Sequence, residues 1–399
     1  MSKNARDRRP YVRPVRRLEI PEIHVKNRLI LLVVFLAIAV VAFGVGIHSA
    51  LSVEPGWQEV TVNAGERSVA GDFQLMYDFS EDGSGATARM KQLQQLYTQA
   101  AERAYLVFNA DELTEEVQNV AFLNANVNQT VTVEPELYRA LELVVSSGNR
   151  HVYLAPAYVE YDRLFSAEGD GEAAQYDPAK NPELASYLNQ VAAFASDSES
   201  IQLELLGENR VRLTLSEDYL AFCAQEGIES YFDLGWMTNA FVADYLAGEL
   251  RAQGFTKGYL TSQDGFTRNL DSRQGSYTLS WYAQPVKQNG QPETIAYQGP
   301  KAIVSLRDFP LNSQERWQYY IYEDETVVSG YLSVETGVSS TAVTSLLCLS
   351  DDLTCGEMVL AMAPVFTADA WRESSVEVLE NAGMECYWCQ NDEVYSGNP

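Results

Sequence analysis

The chain has 399 residues, 46% of them hydrophobic and 21% charged, which is enough apolar material for one large domain or several small ones. It carries 55 acidic against 28 basic side chains, a formal net charge of -27. A surface of that sign repels nucleic acid and anionic lipid headgroups, so neither is an expected partner.

Taken in order, the first fifty residues hold nine Lys or Arg against three acids, and then comes the uncharged run LILLVVFLAIAVVAFGVGI, Leu29–Ile47. That run is long enough to cross a hydrocarbon core of roughly 30 Å as a helix. It also exceeds the ~15 residues of a signal-peptide apolar region. The reading is a basic cytoplasmic tail (1–28), a transmembrane helix (29–47) and an extracytoplasmic domain (52–399), with the N-terminus inside because the positive flank stays there. Cleavage within His48–Ser52 is the alternative. With the tail's nine bases and three acids set aside, the rest of the chain is at -33.

Beyond the span, Asp72–Phe79 alternates as a strand, and Ala86–Asn109 has helical spacing at Met90, Leu93, Leu96 and Ala100. A helix follows Glu134, with Pro135 in its first turn and Gly148 past its end. Ile201–Leu205 and Val211–Leu215 read as strands, and Met237–Ala252 as a helix stopped by Gly254. Lys257–Ser262, Ser276–Val286, Lys301–Leu306, Trp317–Glu323 and Ala342–Ser350 supply further strands, and Gly356–Phe366 a helix. Ser166–Glu183 and Gln288–Glu293 read as loops, and Trp281 and Tyr282 as residues alternating into a core. Strands in hairpin succession with helices grouped between them predict an α+β fold, mainly antiparallel sheets packed with helices, rather than a doubly wound parallel sheet.

The five cysteines are Cys223, Cys348, Cys355, Cys386 and Cys389. Cys386 and Cys389 form a C-x-x-C that suits a redox pair, half a zinc site or a local disulfide. Its place near the C-terminus argues against a thioredoxin-type motif. The C-x6-C spacing of Cys348 and Cys355 is unlike a zinc knuckle, so paired disulfides are expected instead.

One stretch carries chemistry. YFDLGWMTNAFVAD, Tyr231–Asp244, reads as a strand end, a glycine and a helix start, the layout that presents free backbone N–H groups to an anion. Bulky Trp236 follows Gly235, however, and the next cation along the chain is Arg251. Trp236 reads as a core aromatic capping the helix.

FDLGWMTNAFVADYLAGELRAQGFTKGYLTS resembles the central signature of the ApbE-type FAD:protein FMN transferases, D-L-G-G-I-A-K-G-Y-A-V-D. Asp233, Leu234, Gly235 and Asp244 match; Trp236, Asn239 and Ala240 replace a glycine, the lysine and a glycine, and of the later G-G pair only Gly265 is left. FNADELTEEVQNVAFLNAN is similar to the family's F-x-x-x-S-E segment. VEPELYRALELVVSSGNRHVYLAP resembles the helix before S-G-G-x-F-D-P, with Pro156 kept and Ala155 in place of aspartate. SWYAQP looks like the W-x-x-x-x-P strand. VVSGYLSVETGVSS looks like H-I-I-D-P-x-T-G, keeping Thr336 and Gly337 but with Gly330 for the histidine and Ser333 for an aspartate. In CGEMVLAM the metal-binding aspartate corresponds to Glu357 and the threonine to Ala361. Ser84–Thr87 resembles the S-G-A-T acceptor these enzymes modify; the plain alternative is a small-residue turn before a helix.

The resemblance spans Asp72–Glu380. It implies Mg-dependent transfer of FMN from FAD to a protein threonine, with Asp233, Gly235, Asn239, Asp244, Gly265, Thr336 and Gly337 around the cofactor and Glu357 at the metal. It implies equally that a chain lacking the lysine, histidine and threonine has weak or lost activity. A non-catalytic scaffold or binding module on the same fold, with a protein partner at the membrane, is the competing reading.

Overall fold

The computed structural model describes residues 53–63, 65–285 and 291–397; the expected basic tail and transmembrane helix lie outside them. Among the described residues no helix is long and apolar enough to cross a membrane.

Fifteen strands are described: β1 (Trp57–Glu59), β2 (Phe73–Asp78), β3 (Thr130–Thr132), β4 (Ile201–Leu205), β5 (Arg210–Leu215), β6 (Gly258–Ser262), β7 (Phe266–Asn269), β8 (Ser276–Trp281), β9 (Glu293–Gln298), β10 (Ala302–Arg307), β11 (Tyr319–Ile321), β12 (Val327–Ser329), β13 (Ser345–Ser350), β14 (Glu385–Gln390) and β15 (Glu393–Ser396). Eight of them form one sheet in the order β1-β2-β6-β7-β10-β13-β14-β15. Every neighbouring pair in it is antiparallel, as the hairpin succession predicts. A three-stranded sheet β3-β5-β4 and the hairpins β8-β9 and β11-β12 complete the set.

The middle of the large sheet is covered on both faces, which explains why β7, β10 and β13 are buried along nearly their whole length instead of alternating. On one face the helices Thr238–Ala252 and Cys355–Phe366 pack on β7 and β10, with the long helix Ala86–Phe108 laid against the first of them. On the other, the β8-β9 hairpin presses Trp281 onto Ile303, Leu347, Leu349 and Cys389. Trp281 is thus a core residue, as its alternation predicts. All six residues of β13, SLLCLS, are buried.

Local signals set the helix ends. Pro135 opens Pro135–Ser147, and Gly148 closes it in the left-handed conformation at φ 66°. Thr354 and Glu357 form a reciprocal capping box at the start of Cys355–Phe366.

Three expectations change. The predicted loop Ser166–Glu183 contains a short helix, Asp170–Tyr176, with Asp170 and Glu172 in its first turn and Ala173 buried. The Asp170 carboxylate holds it by accepting from the Tyr320 hydroxyl and the Glu323 N–H, each at 3.0 Å. Of the other predicted loop, residues 288–290 lie outside the described set and Glu293 opens β9. The expected disulfides are absent: all five cysteines are free and buried. Cys386 and Cys389 lie three apart on a strand, so they point to opposite faces. The thiol that faces Cys386 is that of Cys348 across the ladder, with the sulfurs 3.1 Å apart.

Candidate functional site

The Asp233–Gly235 turn is fixed by buried polar groups. The Asn124 side chain accepts from the N–H groups of Tyr231 and Phe232 at 3.1 and 2.9 Å and donates to the Phe232 carbonyl at 2.9 Å. Asp233 folds back, its carboxylate accepting the Gly235 N–H at 2.9 Å. Gly235 has φ 56°, and a Cβ there would enter the Tyr158 ring, so glycine is needed for backbone shape and for space. Trp236 stands edge-on to Tyr331, centroids 4.9 Å apart, and Tyr331 meets Phe366 in the same way.

Beside this turn is a cavity of about 330 Å³. One wall is the helix Ala155–Ser166, whose Tyr158, Tyr161, Asp162 and Phe165 recur at i, i+3, i+4 and i+7 and so share a face. Hydroxyl bonds hold two of the rings: Tyr158 donates to the His151 carbonyl at 3.0 Å, and Tyr161 accepts from the Ser339 N–H at 2.7 Å. A second wall is Phe108–Asp111, where Asn109 caps the turn by accepting from the Asp111 and Glu112 N–H groups at 2.9 and 2.6 Å. Asp264, at the tip of the β6-β7 hairpin, reaches in from the sheet, and Trp317, 45% exposed, stands at the mouth.

Four carboxylates therefore line one cavity. Asp111 and Asp162 are exposed at its mouth. Asp264 is only 4% exposed; its Oδ2 accepts from Asn239 Nδ2 at 3.0 Å, and its Oδ1 is buried without a hydrogen bond. Burial pushes Asp233 up to about 7, the charges of Asp111 and Asp162 adding to it against the Gly235 N–H bond. Burial likewise raises Asp264 to about 6, against hydrogen bonding from the Ser262 and Asn239 side chains. Among the described residues, no Lys, Arg or His lines this cavity.

Of the residues singled out from the sequence, Asp233, Gly235 and Asn239 line the cavity, and so does Trp236, which is half-buried on its wall and not the core aromatic expected. Gly265 is next to Asp264, and its φ of 102° and the closeness of the Ser305 carbonyl admit no side chain. Thr336 and Gly337 do not line the cavity; Gly337, at φ 70°, packs its backbone on the Leu188 carbonyl. Asp244 faces a different cavity of about 450 Å³. Its carboxylate accepts from the Cys355 and Gly356 N–H groups at 3.1 and 2.8 Å and lies 3.3 Å from Arg268 Nε. Glu357 Oε2 accepts from the N–H and hydroxyl of Thr354 at 2.8 and 2.9 Å. Both carboxylates thus hold the start of the helix Cys355–Phe366. Thr87 is in the first turn of the helix Ala86–Phe108. Asp264, a candidate to converge with Glu357 and Asp244 on a metal, lines this cavity without either of them; Asp111, Asp162 and the aromatic wall were not picked out as a site, and the Y-x-x-Y-D-x-x-F spacing of Tyr158–Phe165 was the available signal.

The fold with this pocket is that of the ApbE flavin transferases. An ApbE protein from Thermotoga maritima superposes with a TM-score of 0.59 at 11% identity, covering 86% of this chain and 97% of that one. The flavin transferase ApbE from Vibrio cholerae gives 0.50 at 14%, covering 82% and 93%. No family model matches the sequence, and no curated protein matches it.

FAD and Mg, which the sequence resemblance implies, do not fit the residues of this cavity. A phosphate 6 Å from a carboxylate costs roughly 3 kcal/mol at an effective dielectric of 20, and four carboxylates stand here with no lining cation to offset them. Magnesium would need a hard-oxygen cage. Among the described residues no three His, Cys, Asp or Glu side chains are grouped as a metal site.

Proposed function

We propose that this protein is a ligand-binding module built on the flavin-transferase fold and does not transfer FMN. In this reading Leu29–Ile47 anchors it in a membrane and the folded part lies on the outer side. The observation that carries the reading is the charge of the pocket at the Asp233–Gly235 turn, which offers carboxylates where a dinucleotide diphosphate would need cations. Asn239, where the signature has lysine, supports it by bonding to Asp264 and so serving the protein's own packing.

The test is a titration of the full-length chain in nonionic detergent with FAD, with and without Mg²⁺, followed by flavin fluorescence. The expected result is no saturable binding up to about 100 μM FAD. Tight, Mg-dependent binding followed by flavin incorporation into protein would overturn the reading.

A further inference from the structure

The same pocket has the chemistry of cation recognition. Carboxylates supply charge, and aromatic faces attract the polarised N–CH₂ groups of an ammonium ion once it is drawn out of water. The carboxylates come from four separate segments, and no three of them group as a metal site among the described residues. A charge spread in this way matches a cation with several separated centres better than a single ion. Within the cluster Asp264 is 4% exposed and lines the cavity, with Asn239 bonded to its Oδ2 and a buried Oδ1 without a hydrogen bond. A buried acceptor left unmade is costly, and a donor arriving from a ligand removes that cost.

The room suits an extended molecule. The 330 Å³ cavity is at the small end of ligand sites. An adjoining groove of about 540 Å³ shares Asp162, Phe165 and Trp317 with it and adds Glu168. Arg316 also lines that groove, its guanidinium donating to the Ala167 carbonyl at 2.9 Å.

We propose that the pocket binds a small linear polyamine, its ammonium groups held between Asp233 and Asp264 on the floor and Asp111 and Asp162 at the mouth, with its methylene chain against Tyr161 and Trp317. This rests on the pocket being no FAD site. An acidic protein attracts polyamines diffusely, so the test must separate the pocket from the surface. The full-length chain in nonionic detergent is titrated calorimetrically with spermidine at 150 mM NaCl and pH 8, and in parallel with MnCl₂, trilysine and FAD. Expected is one saturable spermidine site, weakened at least threefold in Asp162→Asn and at least tenfold in Asp264→Asn. Glu208→Gln, which removes the same charge from a side chain 88% exposed elsewhere, leaves it unchanged. No saturable spermidine site, equal weakening in Glu208→Gln, or saturation only by Mn²⁺ or only by trilysine overturns the proposal. Saturation by FAD with Mg²⁺ overturns the functional reading beneath it, whereas silence from both FAD and spermidine removes the polyamine alone.

Discussion

Asp233 joins two tasks that pull against each other: its carboxylate shapes the turn by accepting the Gly235 N–H, and it does so partly buried beside Asp111 and Asp162. Its native pKa of about 7 is above the ordinary value near 3.8, so the folded state binds more protons than the unfolded one between those pH values. Stability from this group is full below about pH 4 and is lost as pH rises through 7. Asp264, raised to about 6 with Asp72 nearby, acts in the same direction. Asp233→Asn keeps an acceptor for Gly235 and removes the charge. It should melt about 3 °C above the parent at pH 8 and level with it at pH 4.5, measured by circular dichroism; a lower melting point at pH 8 would show that the charge itself stabilises the turn. Gly265→Ala should cost about 3 kcal/mol in urea unfolding, since it combines strained φ with overlap on the Ser305 carbonyl. Gly83→Ala, at φ 50° with open space around it, should cost about 1 kcal/mol. At this scale the sequence made Asp233, Gly235 and Asn239 legible through one contiguous motif. Asp111 and Asp162 were not legible, because they reach the pocket from a turn and a helix that only the tertiary fold brings beside it.

Elements were legible where apolar residues run long. Four strands of the large sheet, β2, β6, β10 and β13, and the three helices that cover it were readable to within a few residues, whereas β1, β7, β14 and β15 were missed, as were Pro182–Ser196 and Glu217–Glu226, although Asn181 and Ser216 cap them with side-chain hydrogen bonds. The apolar faces of these two helices are short and interrupted by polar residues, and they form because they bury each other, Phe194 stacking on Tyr219 at 4.6 Å and Tyr187 on Phe222 at 6.0 Å between ring centroids. One inter-element contact gives a clear test. Asp244 in the helix Thr238–Ala252 caps Cys355–Phe366 and pairs with Arg268, whose side chain is 11% exposed. Asp244→Ala leaves that cation buried and two N–H groups unmet, so it should lose about 3 kcal/mol in urea unfolding; Asp244→Asn, which keeps an acceptor, should lose less. Added Mg²⁺ should restore neither, and restoration would return the residue to a metal role. A second contact concerns redox chemistry. Cys348 and Cys386 are direct antiparallel partners, and such partners have Cα atoms about 4.5–5.5 Å apart, inside the disulfide range. Refolding with glutathione disulfide as oxidant should join them, two thiols losing two electrons and two protons as the glutathione disulfide is reduced. Mass spectrometry should then show a loss of about 2 Da. Cys348→Ser should abolish that loss, and persistence of the loss would assign the bond elsewhere.

For the whole molecule, the order of weak motifs along the chain carried the fold, because each marks a strand end, a hairpin tip or a helix start that the architecture needs wherever the chemistry has gone. Gly235, Gly265 and Gly337 survive for that reason: each admits no side chain without a clash or strain. What the motif order could not carry was the sign of the pocket, which depends on residues outside the motifs. That sign agrees with the molecule at large. The chain is at -27, and everything beyond the basic first fifty residues is at -33. Such a charge repels itself in the compact state, and the repulsion between exposed groups fades as the screening length shrinks from about 30 Å at 0.01 M salt to about 10 Å at 0.1 M. Raising NaCl from 10 to 300 mM at pH 8 should therefore raise the melting temperature of the full-length chain by several degrees. The rise should be smaller in Asp162→Asn, because that change removes a charge from a place where carboxylates converge with no lining cation, and Glu208→Gln should show the parent's rise. Equal responses in the two variants would mean that the charge is spread evenly over the surface and that the pocket holds no concentration of it.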